Sequence, residues 1–565
     1  MSIDADRERL SQAHNLEWIG RKLKATEMVT VYRWNSENVR GDYFILGGLI
    51  PPKLVEAILS GEHISSVIEN VWPEPTAYRL ERESPVKYFR WGVDEDMYGS
   101  EPLVICRQFS KMKEDYLEIS EEFRLLHNLY HDKETNTYIK IDDAGNETTV
   151  VIVKPDKVQI RLQEIRQFLA IKEMYLSILF EFNEYSRYSL EELGLSDDGP
   201  RDIKRESKHN GFMCWKYNHY SDTLHQEFQS ASWLRGRRLI KPLPKSKSGL
   251  GDFAEEPKYV EFIVDVDDNG DEVYYTCNPY KLSHLPEENA AGKLTLVHFD
   301  KQVLDKYYNE PSKYTVEDSM LRCASLWSMK IDNHTPDKVC VFLDELGISL
   351  PHAEQEHWRA HNIPPEEGMS ETFGRRMVKG EWASSDQPDI LFKQSYEQLQ
   401  KACDEHLAWQ LLKPLGTGDA YRLKRLRIPV SDEQCDFDDL VQDLQTILIE
   451  SIDVKGLKRL LPEAERVNLK GKRSIEVLGE VLSFHSVEDV DHRISFLQKL
   501  QTLRSKGSGH RKGSDYQKIA NYFGVDSLGQ REAFAEILKQ ALDTIEFLTS
   551  VVRSGKLSNK NGKIE

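Results

Sequence analysis

Ile494-Ser-Phe-Leu497-Gln-Lys-Leu500-Gln-Thr-Leu503-Arg504-Ser-Lys-Gly507-Ser-Gly-His510-Arg-Lys-Gly513 decides how the last third of this 565-residue chain is read. Ile494, Leu497, Leu500 and Leu503 recur every three residues, which draws an apolar stripe down one side of a helix. Upstream, Phe437, Leu440, Val441, Leu444, Ile447 and Leu448 fall at the same helical spacing, and Phe534, Ile537, Leu538, Ala541, Ile545 and Leu548 repeat it downstream. Shorter helices fit residues 474–484 and 514–523, and nothing after Pro429 alternates as a strand does. Residues 431–565 are therefore expected to form a compact all-α bundle in which each helix buries one wide apolar face.

The residues before the bundle mix both periods. Residues 29–34 and 43–49 read as strands, with Pro51 and Pro52 opening a helix. Tyr138-Ile-Lys-Ile and Thr149-Val-Val-Ile-Val flank Asp142-Asp-Ala-Gly-Asn, the turn chemistry of a hairpin. A long helix is expected over 158–182. A second hairpin pairs 259–264 with 273–277 through Asp267-Asp-Asn-Gly-Asp271. Residues 241–258, rich in Pro, Gly, Ser and Lys, read as a linker, and the polar tail 554–565 as a frayed end. The expected class is α+β. A mixed α/β N-terminal region (1–245, placed to act as a sensor) precedes a mixed hairpin and helix middle region (246–430) and the helical bundle (431–565).

Composition narrows the function. At 39% hydrophobic and 30% charged residues the chain reads as globular. Its formal charge of −19 should repel nucleic acid and acidic membranes, so local exceptions are informative. Residues 201–250 carry eleven Lys or Arg against four Asp or Glu, and residues 495–565 carry twelve against seven. Such basic islands are candidate polyanion footprints, because phosphate contacts dominate that kind of binding. The other reading, solvated surface, weighs equally for the first island. The seven cysteines are scattered singly with no CxxC pair, which argues against a zinc ribbon and for a reducing compartment. No signal-peptide core and no long apolar run appear, so the expected address is the cytoplasm and no membrane contact is expected.

The chemistry concentrates where the quoted stripe ends. On a continuous helix, residues six apart stand about 240° around the axis. Gly507 and Gly509 permit a break that would let Arg504 and His510 converge at the rim of the bundle. Lys506, Arg511 and Lys512 stand around them, with no acid between Arg504 and Lys512. Attack of a ribose 2′-OH on its own 3′-phosphate needs a proton acceptor near neutral pH, which histidine supplies. The phosphorane that develops needs a permanently charged, forked donor, which arginine supplies.

A helical bundle with Arg, a short polar run and then His resembles the HEPN ribonucleases, which often carry a polar residue right after the Arg. Here five residues intervene and Ser505 follows Arg504, where many members have Asn, Asp or His. The resemblance covers roughly the last 130 residues. It implies Arg504 and His510 as the catalytic pair, with Ser505, Lys506, Arg511 and Lys512 as RNA contacts. It also implies a composite cleft in a homodimer, cleavage of an RNA such as tRNA or mRNA to a cyclic phosphate, and no metal or other cofactor. HEPN bundles often end large chains of this layout in prokaryotic antiviral (abortive infection) and toxin systems, with upstream regions that sense or restrain. The alternative reading is a HEPN-like module that binds RNA or a protein without cutting.

Other signals are weaker. Arg124-Leu-Leu-His127-Asn-Leu-Tyr-His131 also satisfies the Arg–His spacing, but it leads into a hairpin without neighbouring cations and reads as structural. His352, His357 and His361, with Glu354 and Glu356, have ligand-like spacing on a helix but no HExxH pattern. Phe212, Trp215, Tyr217, Tyr220 and Trp233 interleave with Arg235, Arg237 and Arg238, as a base-stacking surface would; a half-buried aromatic surface is slightly favoured. Pro388-Asp389 with residues 81–87 makes a poor PD-(D/E)xK nuclease match, and no phosphate-binding glycine loop occurs. The purpose of residues 358–382, with Arg375, Arg376 and Gly380-Glu-Trp, is not legible.

Overall fold

The computed structural model describes residues 2–35, 41–56, 76–79, 82–89, 100–197, 204–207, 210–218, 227–284, 291–366, 368–507 and 512–557. It divides into two compact units, one of residues 1–142 and 146–256, the other of residues 143–145 and 257–565.

The first unit is organised by one large antiparallel sheet. In chain order its main strands are β1 (Met28–Asn35), β2 (Gly41–Ile50), β3 (Tyr130–Asp132), β4 (Thr137–Ile141), β5 (Glu147–Lys154), β6 (Lys157–Arg161), β7 (Tyr175–Ser186), β8 (Lys204–Ser207), β9 (Asn210–Asn218) and β10 (Ser230–Ile240). They lie side by side as β8-β9-β10-β7-β2-β1-β6-β5-β4-β3, and Glu101–Pro102 adds a short strand against β2. The alternation read from the sequence holds in β1, where Val29 and Val31 point into the core, and in β6, where Val158 and Ile160 do. The first expected hairpin is β4–β5, in antiparallel register across a turn with Gly145 at φ 73°.

The expected helix over 158–182 is a correction. Residues 157–161 are β6, a helix α2 occupies Leu162–Lys172, and β7 follows from Tyr175. α2 stops because Glu173 takes the left-handed conformation (φ 55°) at its C-terminal cap. β7 is a central strand between β2 and β10 and is buried along almost its whole length. A strand covered this way shows a near-continuous apolar run, which periodicity cannot separate from a buried helix. Ile165, Phe168 and Leu169 of α2 share one core with Ile178 and Phe180 of β7.

An N-terminal helix α1 (Ile3–Ser11) is tied to β7 by charge. Ser186 Oγ donates to Asp6 Oδ2 at 2.8 Å, Arg9 Nη1 lies 3.4 Å from Glu184 Oε2, and the Tyr43 hydroxyl donates to Glu184. Burial pushes the Glu184 carboxyl up to about 7, against the lowering influence of Tyr43 and Arg9.

In the second unit the expected hairpin is present as Glu261–Val266 against Glu272–Thr276. Leu296–Asp300 pairs with Lys338–Phe342 and Asn362–Ile363, and a three-stranded meander runs from Tyr314 to Lys330. A helix α3 (His352–Arg359) seats Trp358 edge-on against Phe299 in that core. Next come α4 (Glu371–Met377), α5 (Pro388–His406), α6 (Ala420–Arg425), α7 (Gln434–Gln445), α8 (Val454–Arg459), α9 (Ser474–Phe484), α10 (Val490–Gly507), α11 (Ser514–Tyr522) and α12 (Gln530–Arg553). Every described residue after 388 is helical or loop apart from one isolated bridge between Leu412 and Ile452.

All three apolar stripes join a single helical core, with Ile494 partly buried at its edge, and each leucine is worth about 1.5–3 kcal/mol when fully covered. That core starts earlier than the change of character near Pro429 indicates. Phe392, Tyr396, Leu399 and Cys403 of α5 belong to it, and α5 packs along α12. The observed class is α+β, a large antiparallel sheet followed by helices. Among the described residues no helix is long and apolar enough to cross a membrane.

Candidate functional site

α10 is described as far as Gly507, and the break expected between Gly507 and Gly509 falls on residues outside the described ones. Leu497, Leu500 and Leu503 are buried, Arg504 is half-buried, and Ser505 and Lys506 are exposed on the final turn. Gly507 sits close to its neighbours: an added Cβ would lie 3.3 Å from the Tyr516 ring and 3.4 Å from Asp438 Oδ1. The end of α10 is thereby pressed between α7 and α11. His510 and Arg511 lie outside the described residues, as does Gly509, and so does the expected convergence of Arg504 with His510.

The described cations are not left uncompensated. Lys512 Nζ is 2.8 Å from Asp438 Oδ2 and 4.9 Å from the centre of the Tyr516 ring. Lys506 Nζ lies 3.6 Å from Asp515 Oδ2, a looser and more exposed pair. Gln434 Nε2 donates to Asp438 Oδ1 at 2.9 Å and to the Tyr516 hydroxyl at 3.0 Å. Burial, with Asp438 nearby, raises the Tyr516 phenol above its ordinary value. Asp438 stands far from Lys512 in sequence, so no local reading of the basic run could have found it. The arrangement offers a polar rim of arginine, serine, lysine, tyrosine and carboxylate at one end of a rigid helical core.

The second Arg–His match has a structural explanation. Arg124 and His131 both approach Tyr138, the guanidinium 6.0 Å from the ring centre and the imidazole stacked at 4.3 Å. His131 Nε2 also bonds Asn136 Oδ1 at 3.0 Å. His357 of α3 and His361 just beyond it stand 4.9 Å apart ring to ring, but each is taken by a backbone carbonyl. His357 Nε2 faces the Val303 carbonyl at 2.9 Å and His361 Nδ1 the His357 carbonyl at 3.1 Å, while burial lowers the His357 pKa. Glu354 turns inward to Lys306, Tyr307 and Tyr314. Among the described residues no group of three His, Cys, Asp or Glu side chains could hold a metal ion.

In the first basic island, Arg237 and Arg238 are buried, and Arg238 donates to the carbonyls of Trp18 and Arg21 at 2.8 and 2.6 Å. Arg235 faces Glu181 at 3.6 Å, and Trp215 meets Trp233 edge-on. These arginines fasten the sheet, in line with the half-buried aromatic surface; Tyr220 lies outside the described residues.

Two features escaped the sequence reading. Residues 358–382 contribute to a polar network in which Arg376 forks onto Asp318 at 2.6 and 3.0 Å and His334 Nε2 lies 3.2 Å from the same carboxylate. Burial opposes ionisation of Asp318, but His334 and Arg376 outweigh it and hold its carboxyl well below the usual range. A cavity of about 260 Å³ opens beside it, lined by His334, Ser370, Arg375, Ser384 and Asp386 among others. The other is a dense basic stretch, Lys455 to Arg473, with seven Lys or Arg against two Glu, whose signal was visible as a local charge count. Searches of protein-family models, curated proteins and solved structures return no match for this chain.

Proposed function

We propose that this protein is a metal-independent RNA endonuclease of the HEPN type, acting through Arg504 and His510 at the end of α10. The observation that carries the reading is the position of Arg504, half-buried on α10 directly after Leu503 of the all-helical core. In this reading His510 takes the proton from the ribose 2′-OH as that oxygen attacks the adjacent phosphorus. Arg504 stabilises the charge that develops on the phosphoryl oxygens, and the 5′-oxygen leaves, with a cyclic phosphate remaining. Ser505, Lys506, Arg511 and Lys512 position the strand. Two copies meeting near the motif would bring two arginines and two histidines into one cleft, as the family resemblance implies. The biological setting that fits is a prokaryotic antiviral or toxin effector working on tRNA or mRNA in the cytoplasm, its upstream region responding to an unknown trigger.

A second reading has its own support. Asp438 and Asp515 already pair with Lys512 and Lys506, which suits a module that binds a partner without cutting. Incubating purified protein with end-labelled tRNA in EDTA separates the two. The nuclease reading expects cyclic-phosphate ends; the binding module leaves the RNA intact.

A further inference from the structure

The basic stretch leads into α9, which packs against α10. α9 and α10 are joined by a short turn and pack together, with Gly479 facing Ile494 so closely that an added Cβ would stand 3.3 Å from Ile494 Cγ1. Two helices joined by so short a turn run antiparallel. Stepping from that contact toward the start of α9 reaches Arg473 after about 9 Å, and stepping the same way along α10 reaches Ser505 after about 16 Å. Ser505 follows Ile494 by eleven residues, about three full turns, and so lies on the side of α10 that faces α9. Lys470, Gly471 and Lys472 lead into α9 through a turn closed by the Lys472 N–H, which donates to the Leu469 carbonyl at 3.2 Å. α8 packs against α9 through its buried Leu457 and carries Lys455, Lys458 and Arg459 away from that contact.

These cations are unusual in a chain of net charge −19. Among the described residues no carboxylate forms an ion pair with Lys455, Lys458, Arg459, Lys470 or Arg473. All but Lys458 are exposed. Lys472 is paired with Glu480, and Arg466 is spent on the carbonyls of Leu461 and Arg459. Glu463 and Glu465 stand on the same stretch but bridge to none of the five. Like charges held together at a surface without counter-charges cost self-repulsion, which a bound polyanion relieves.

We propose that Lys455, Lys458, Arg459, Lys470 and Arg473 form a docking strip for the sugar–phosphate backbone of a single RNA strand, continuous with the end of α10. The choice of RNA over an acidic protein rests on the nuclease reading of Arg504 and His510. The charge complementarity itself does not depend on that reading. A strand on this strip would pass Ser505 and reach Arg504.

The test uses the full-length chain carrying His510→Ala, so that the RNA stays intact, and a fluorescein-labelled single-stranded 20-nucleotide RNA. The variant combines Lys455→Gln, Arg459→Gln, Lys470→Gln and Arg473→Gln. A control of equal charge change combines Lys281→Gln, Lys379→Gln, Lys401→Gln and Lys556→Gln. The strip variant is expected to bind on the order of a hundredfold more weakly at 0.1 M salt, with the slope of log affinity against log salt shallower by about three. The control should bind as the parent does, and so should a version in which the four positions exchange Lys for Arg and Arg for Lys. An unchanged slope in the strip variant overturns the proposal. So does an equal loss in the control or the charge-keeping version, or displacement of the RNA by polyglutamate at equal charge concentration. Strip-dependent binding by a protein that never cleaves would sink the nuclease reading and leave the strip. Cleavage with strip-independent binding would do the reverse.

Discussion

Asp443 is the carboxylate on which the helical core is most dependent, and Asp443→Asn is the perturbation that measures it. Its side chain is 0% exposed, with Arg422 Nη1 2.6 Å from Oδ1 and Arg425 Nη2 2.7 Å from Oδ2. Burial raises its pKa even though both guanidiniums pull the other way, so the site is costly to build and costly to leave half-built. Removing one partner of a buried ion pair typically costs about 3–5 kcal/mol. Here the cost belongs at the low end, because each arginine keeps another acid: Arg422 holds Asp419 at 2.9 Å and Arg425 faces Asp439 at 3.8 Å. The expectation is a loss of about 3 kcal/mol, which lowers the melting temperature by roughly 6–12 °C at about 2–4 °C per kcal/mol. Urea unfolding followed by helical circular dichroism is the assay, with an unchanged slope and a lower midpoint as the expected pattern. Converting the trio together, Asp443→Leu with Arg422→Met and Arg425→Met, should recover most of the loss, since a packed apolar triad often equals a buried ionic one. A change below 1 kcal/mol in the single variant would refute the idea that this clamp holds α6 on α7.

Glu184 gives a pH dependence of opposite sign to the usual carboxylate. Its folded pKa is raised from 4.5 to about 7, so its stabilising contribution is present below the unfolded value and is lost as pH rises through about 7. Asp6 and Arg9 of α1, Tyr43 and Asp42 of β2 and Arg33 of β1 surround it; Glu184→Gln should flatten the stability of the first unit over that window by on the order of 3 kcal/mol, read as melting temperature against pH, and an unchanged profile would refute it. Gly236→Ala should destabilise the sheet by more than about 2 kcal/mol, because a Cβ there would lie 2.4 Å from the Gly211 carbonyl oxygen and 2.7 Å from Phe180. A thermal midpoint equal to that of the parent would contradict this. For the dimer, mixing Arg504→Ala with His510→Ala protein under subunit exchange should return partial cleavage; wild-type protein that cleaves RNA while monomeric by light scattering would exclude a composite cleft.

Where one face of an element meets a core and the other meets solvent, its sequence declared it. The stripes of α7, α10 and α12 and the hairpin β4–β5 are of this kind. β7 was misread because residues on both of its faces are buried, and a strand with no exposed side loses its period. The start of the helical core was placed late because α5 precedes a stretch of loops and the short α6, which broke the run of helical pattern. At the candidate site the local features of α10 were legible in its apolar stripe and in the basic residues that follow it. The counter-charges were not, since Asp438 and Asp515 meet the lysines through packing of α7 and α11 against α10. The Asp318–His334–Arg376 network was hidden for the same reason. The strip from Lys455 to Arg473 lay in plain view as charge, but the packing of α9 on α10 that links it to the candidate site was not.

Metal-free RNA cleavage by Arg504 and His510 has a direct test. The most direct measurement compares wild-type, His510→Ala and His131→Ala proteins, matched in melting temperature, on end-labelled tRNA in EDTA, with product ends identified chemically. The account predicts 2′,3′-cyclic phosphate ends from wild-type and His131→Ala proteins at similar rates and none above background from His510→Ala. Cleavage by His510→Ala at the wild-type rate would contradict it.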